Sequence, residues 1–210
     1  MICSSLCRVP FTVFSSPGFG RNSHSTWHHF RGLGQVVGEG VRKPWLKFKL
    51  RHFHRRLLHQ NPRPQNILFI CYGNICRSPL AEYLARAELR GVQVSSAGLY
   101  EVEGRSSPQK IVRLGAAMGL DLSDFRSRRV SQTQIDQADL ILVTDLENYA
   151  GILDLYPSAG QRTTALGLFL NPPTSTIPDP YYSSAEETER VSKKIQSAIA
   201  GLKQWIESTP

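Results

Sequence analysis

Histidine is missing from residues 65–210; all six, at 24, 28, 29, 52, 54 and 59, lie before that stretch. Chemistry in the later part must therefore run without an imidazole base, which excludes Ser-His-Asp and Cys-His mechanisms there. It must also run without His metal ligands, and no metal or cofactor is expected. Cysteine is scarce: Cys3 and Cys7 stand near the start, Cys71 and Cys76 close together further on. That is neither a secreted disulfide framework nor a paired zinc set. A reducing, cytoplasmic setting follows as the expectation. Acidic residues are missing before Glu39, and no apolar run approaches a membrane span. No internal repeat is visible.

The basic charge is unevenly placed. The net charge of the 210 residues is +8. Residues 1–64 carry eleven Lys/Arg against the single acid Glu39, while residues 65–210 carry fourteen against sixteen acids. The later part is thus mildly acidic and lacks interleaved recognition motifs, which argues against a nucleic-acid partner. Three segments are expected. Residues 1–43 form a disordered basic extension, acid-poor enough to suit an organellar transit peptide, whereas Pro10 and Pro17 break any secretory signal. Residues 44–64 form a basic amphipathic helix, with Pro44 at its start, and a Pro linker from Asn61 to Pro64. Residues 65–210 form the main domain.

In the helix, Leu46, Leu50, Phe53 and Leu57 share one face, with Lys47, Arg51, His54 and Arg55 around the rest. It either packs on the domain or lies on an anionic membrane surface through residues 44–59. The latter makes the protein membrane-peripheral.

From Gln65 apolar strands alternate with helices. Strands are expected at 67–70, 92–97, 140–143 and 163–166, with a short one starting at Val130. Helices are expected at 79–90, 108–118, 131–135, 146–153 and 184–206, the first with Leu80, Tyr83, Leu84 and Ala87 inward. This pattern predicts an α/β fold: a three-layer αβα arrangement with a small, mostly four-stranded parallel sheet, doubly wound and flavodoxin-like or Rossmann-like. Ligands bind such sheets at the carboxyl ends of the strands.

One such end carries Cys71-Tyr-Gly-Asn-Ile-Cys-Arg-Ser-Pro79. Gly73 and Asn74 tolerate positive φ. Ser78 and Pro79 suit a helix start, as N-cap and first helical residue. Backbone N–H groups of the loop and the helix dipole together make an anion cradle. A cysteine there gains thiolate character, so Cys71 is the candidate nucleophile. Arg77 offers a planar fork to two phosphate oxygens. Ser78 can donate to the sulfur, and Asn74 shapes the loop. Tyr72, Gly73, Asn74, Ile75, Cys76 and Ser78 are the supporting, phosphate-binding set.

This loop resembles the signature of the low-molecular-weight protein tyrosine phosphatases, bacterial type. The resemblance extends over residues 66–208, through Ser96-Ala-Gly98, the apolar strand with Asp145 and Asn148 after it, and Ile177-Pro-Asp-Pro-Tyr-Tyr182. It implies hydrolysis of phosphotyrosine through a cysteinyl-phosphate, with Asp179 as general acid and then base. It also implies phosphotyrosine proteins as partners, a bacterial tyrosine kinase among them. Tyr181 and Tyr182 are implied as pocket walls. Tyr100 stands in for a Trp that relatives carry between 99 and 104. Cys76 is implied as the redox partner of Cys71. Arg128 keeps the basic residue of a departed His-x-Ala-Arg-like segment. Two alternatives remain: a silent phosphotyrosine-binding module, against which the retained Cys71, Arg77, Ser78 and Asp179 speak, and an arsenate reductase, which needs a cysteine after Cys76.

Overall fold

Four short apolar segments make the sheet. They are β1 (Asn66–Cys71), β2 (Gln93–Gly98), β3 (Leu140–Val143) and β4 (Thr163–Ala165). All pairs are parallel, in the order β2-β1-β3-β4. The computed structural model describes residues 39–60 and 63–208. Residues 1–38, expected to be disordered or a transit peptide, and Asn61 and Pro62 of the linker lie outside the described residues.

Successive strand residues point to opposite faces, so each strand feeds two cores. Ile67, Phe69, Leu140 and Leu142 pack with α2 (Arg77–Glu88), α3 (Gln109–Ala117) and α6 (Ala185–Glu207). Leu68, Ile70, Ile141 and Val143 pack with α4 (Gln132–Gln137) and α5 (Leu146–Leu155). β3 is buried on both faces, which is why it reads as an unbroken apolar run. Each such side chain contributes roughly 1.5–3 kcal/mol by leaving water. The result is the expected three-layer, flavodoxin-like α/β fold.

Local differences have local causes. Val130 starts no strand; Gly98 and Arg129 form one isolated bridge, in which Gly98 N–H donates to Arg128 O and Gly98 O accepts from Val130 N–H. Helix α2 begins at Arg77 with Cys76 before it, so neither Ser78 nor Pro79 opens it. On that helix Ala87 is exposed and Glu82 is buried, the reverse of the expected faces. Ser131 does cap α4, in a reciprocal capping box with Gln134.

Helix α1 (Glu39–Gln60) begins five residues before Pro44, which lies inside it. Its apolar side is turned inward. Leu46 and Leu50 join one core and Leu57 the other, as the helix packs on β4, the edge strand, and α5. A covered edge cannot template another strand. His54, expected toward solvent, is buried edge-on against the Phe169 ring at 4.9 Å, while Phe53 is half-buried. Burial lowers the His54 pKa from 6.5 to about 4. The unfolded chain then binds a proton that the folded one refuses, so stability falls as pH drops from about 6.5 to about 4. The expected loss at the acid end is on the order of 3 kcal/mol. His54→Phe should flatten the urea-unfolding free energy over that window; an unchanged acid slope would reject the assignment.

No helix among the described residues is long and apolar enough to cross a membrane.

Candidate active site

β1 has β2 on one side and β3 on the other, so its carboxyl end is where connections diverge and leave a crevice. The loop from Cys71 to Cys76 fills that end and leads into α2. It sits tightly on Gly98, the last residue of β2. A Cβ on Gly98 would lie 2.8 Å from Tyr72 O and 2.9 Å from Asn74 N and Cβ. Only glycine lets the loop settle there.

Asn74 is the hub of the loop. It holds φ of +48° and is fully buried. Its Oδ1 accepts from the Arg128 backbone N–H at 2.8 Å, which fixes the amide's orientation. Its Nδ2 must then donate, at 2.9 Å to Ser78 Oγ and at 2.8 Å to Ser96 Oγ. Ser78 Oγ, which accepts that N–H, also lies 3.0 Å from Cys71 Sγ, a hydrogen bond in which either atom can be the donor. Asn74 N–H donates to that sulfur at 3.2 Å. Ser96 passes its hydrogen to Glu82 Oε2 at 2.5 Å, and Glu82 in turn pairs with Arg86 and Arg128. A hydrogen-bonded network centred on the Asn74 amide thus links the buried Glu82 carboxylate, through Ser96, to Ser78 and Cys71.

Arg77 is nearly buried, and its two ends face different groups. Nη1 donates to Asp145 Oδ2 at 2.6 Å and Ile177 O at 3.0 Å; Nη2 donates to Asp179 Oδ2 at 2.7 Å. Asp145 also caps α5, accepting from Asn148 N–H at 2.7 Å. Burial works against the guanidinium charge, but Cys71, Asp145 and Asp179 outweigh it and raise its pKa. Arg77 Nε is buried with no hydrogen-bond partner among the described residues. Cys71 and Cys76 are free thiols; burial, with Cys71 next in weight, pushes the Cys76 pKa to about 12.

Beside the loop lies an open cavity of about 500 Å³, lined by Ile75, Arg105, Ser106, Pro108, Tyr181 and Tyr182. Tyr181 and Tyr182 meet edge to face at 4.6 Å, and Tyr182 is almost wholly exposed. Tyr100 does not line this cavity. Its ring is tilted by 52° against Tyr72 at 5.5 Å and lies under the Arg105 guanidinium at 4.5 Å, and Arg105 Nη2 donates to Gly73 O at 2.5 Å. Among the described residues no group of three or more His, Cys, Asp or Glu is placed to hold a metal.

Asp145, Ser96, Glu82 and Arg105 also belong to the site and are not among the residues that the sequence marks as candidates. Only Asp145 had a usable signal, a polar Thr-Asp pair directly after a fully apolar strand. Glu82 reads as a solvent-facing helix residue until Ser96 of β2 and Arg128 are brought against it.

A cysteine in an anion cradle, an arginine fork and a carboxylate on a facing loop define a cysteine-dependent phosphatase. Residues 66–209 match the low molecular weight phosphotyrosine protein phosphatase family, and the chain belongs to it as a protein-tyrosine-phosphatase. Among curated relatives it is 34% identical over 136 residues to the low molecular weight protein-tyrosine-phosphatase Ptp of Acinetobacter johnsonii, covering 65% of this chain and 94% of that one. Among solved structures it resembles the tyrosine phosphatase Wzb of Escherichia coli K30 in complex with sulphate, with TM-score 0.63 and 31% identity, over 70% and 99% of the two chains. It also resembles the YwlE arginine phosphatase of Geobacillus stearothermophilus, with TM-score 0.65 and 28% identity, over 69% and 94%.

Proposed function

We propose that the chain dephosphorylates phosphotyrosine in proteins by two phosphoryl transfers at Cys71. The carrying observation is that Arg77, next to the cysteine loop, holds the Asp179 carboxylate at 2.7 Å, bringing residues 102 apart into one site. In the first step the Cys71 thiolate attacks phosphorus in line, the S–P bond forms and the P–O bond to the phenol breaks. Asp179, in its acid form, gives its proton to the leaving oxygen. In the second step Asp179 takes a proton from water, the water oxygen attacks phosphorus, and the S–P bond breaks. The Ser78 hydroxyl stabilises the sulfur as attacking and as departing thiolate.

Arg77 suits this division. Its Nη1 is committed to Asp145 and Ile177 O, while Nε has no partner among the described residues and Nη2 is held by the acid whose side chain is far more exposed, at 47% against 11%. The phosphate takes Nε and Nη2 as a bidentate pair and displaces Asp179 toward the leaving group. Tyr181, Tyr182 and Arg105 present a face to the aryl ring. The likeness to both tyrosine and arginine phosphatases sets the test. Purified protein should hydrolyse a phosphotyrosine peptide and spare matched phosphoarginine and phosphoserine peptides; a preference for phosphoarginine would reject the substrate class.

A second contact rests on α1. Lys43, Lys47, Lys49, Arg51, Arg55 and Arg56 are exposed on it, with Trp45 and Phe48 at 51% and 68% exposure. We infer that this face adsorbs to anionic lipid while the Leu46–Leu57 side stays packed. The full chain should sediment with phosphatidylserine vesicles and not with neutral ones; equal sedimentation with both discards the idea.

A further inference from the structure

Arg77 holds Asp179 only while no phosphate competes for Nη2. Once substrate has taken that end, another tether must keep the acid near the leaving oxygen. The structure offers one. Lys110 Nζ donates to Pro180 O at 2.6 Å, to Tyr181 O at 3.0 Å and to Ser183 O at 3.0 Å. An ammonium has three hydrogens, so all are spent on the stretch that begins at Asp179. That stretch is folded on itself: Tyr181 N–H donates to Asp179 Oδ1 at 3.1 Å, Ser183 Oγ to Asp179 O at 3.4 Å, and Ser183 N–H to Pro180 O at 3.1 Å. The lysine's base is fixed too, because Ile111, next along α3, is buried in the core.

We propose that Lys110 is a positioning residue that keeps Asp179 over the leaving group after the phosphate has claimed Arg77. Hydrogen bonds from a charged donor to carbonyls are stronger than neutral ones, and none of these three is contested by the substrate. The chemistry suits lysine in particular. Three carbonyls converging on one point fit a compact ammonium, whereas a planar guanidinium directs its donors into a fork. The proposal rests on the reading of Asp179 as the acid, so its test carries that reading as an internal control.

The experiment measures kcat/KM of the full chain on two aryl phosphates, p-nitrophenyl phosphate as the good leaving group and phenyl phosphate as the poor one. Asp179→Ala should lose far more on phenyl phosphate. Lys110→Met should keep p-nitrophenyl phosphate within about 2-fold and lose about 10-fold on phenyl phosphate, the size of a displaced general acid. Lys110→Arg should fall between wild type and Lys110→Met. Adding Lys110→Met to Asp179→Ala should change the ratio no further. Equal losses on both esters, or none, with Asp179→Ala still selective, would overturn the role of Lys110 alone. A non-selective Asp179→Ala would remove the acid reading and this proposal with it. Should Lys110→Met fail to fold, Lys110→Gln reads the same ratio.

Discussion

Cys71→Ser should lower kcat/KM on p-nitrophenyl phosphate by on the order of 10⁴-fold or more, while inorganic phosphate still binds. The substitution is nearly isosteric, so the cradle survives. What fails is the nucleophile. A serine hydroxyl must lose a proton to attack, and residues 65–210 hold no histidine to take it. The groups in hydrogen-bond contact with the sulfur, the Ser78 hydroxyl at 3.0 Å and the Asn74 N–H at 3.2 Å, include no base. They can stabilise an anion but cannot create one from an alcohol. Steady-state assay with calorimetric phosphate titration separates the two properties; a serine variant within about 10-fold of wild type would reject the nucleophile.

Arg77→Lys should cost on the order of 10³-fold in kcat/KM, with phosphate binding weakened as well. The charge is kept, so the deficit isolates geometry. One ammonium cannot reach Asp145 and Ile177 O behind it and also present two parallel donors in front. Asp145 is buried and also caps α5, so the lysine should be drawn back to it and leave the phosphate side empty. Asp145→Asn should be milder, because an amide oxygen can still accept from Nη1. A lysine variant with near-normal kcat/KM would show that charge alone suffices.

The parts of this site that are local in sequence were legible. Cys71, Asn74, Arg77 and Ser78 lie within eight residues, and a glycine, an asparagine and a proline beside them signal the turn and helix start. The strands were legible because burial on both faces writes Leu140 to Val143 as apolar throughout. Asp179 came into view through the resemblance; an aspartate between prolines otherwise reads as a turn. What stayed hidden depends on partners far along the chain. Lys110 reads as a solvated helix charge, since the carbonyls it binds at 180, 181 and 183 are backbone atoms that every residue carries. Glu82 and His54 sit at positions that helical spacing assigns to solvent, yet both are buried, Glu82 against Ser96 and Arg128 and His54 against Phe169. The resemblance implies Tyr100 as a pocket wall; its ring lies under Arg105, which lines the cavity. Pro44 read as a helix start because proline fits the first turn, and α1 instead begins five residues earlier.

The most direct measurement is capture of the covalent intermediate. Wild-type protein is mixed rapidly with p-nitrophenyl phosphate, quenched in acid within the first turnover, digested and read by mass spectrometry. One phosphoryl group should appear on the peptide spanning Asn66 to Arg77, localised to Cys71, in step with a burst of p-nitrophenol. A burst with the phosphoryl group on another residue, or product formed with no phosphoenzyme at any quench time, would contradict the two-step mechanism.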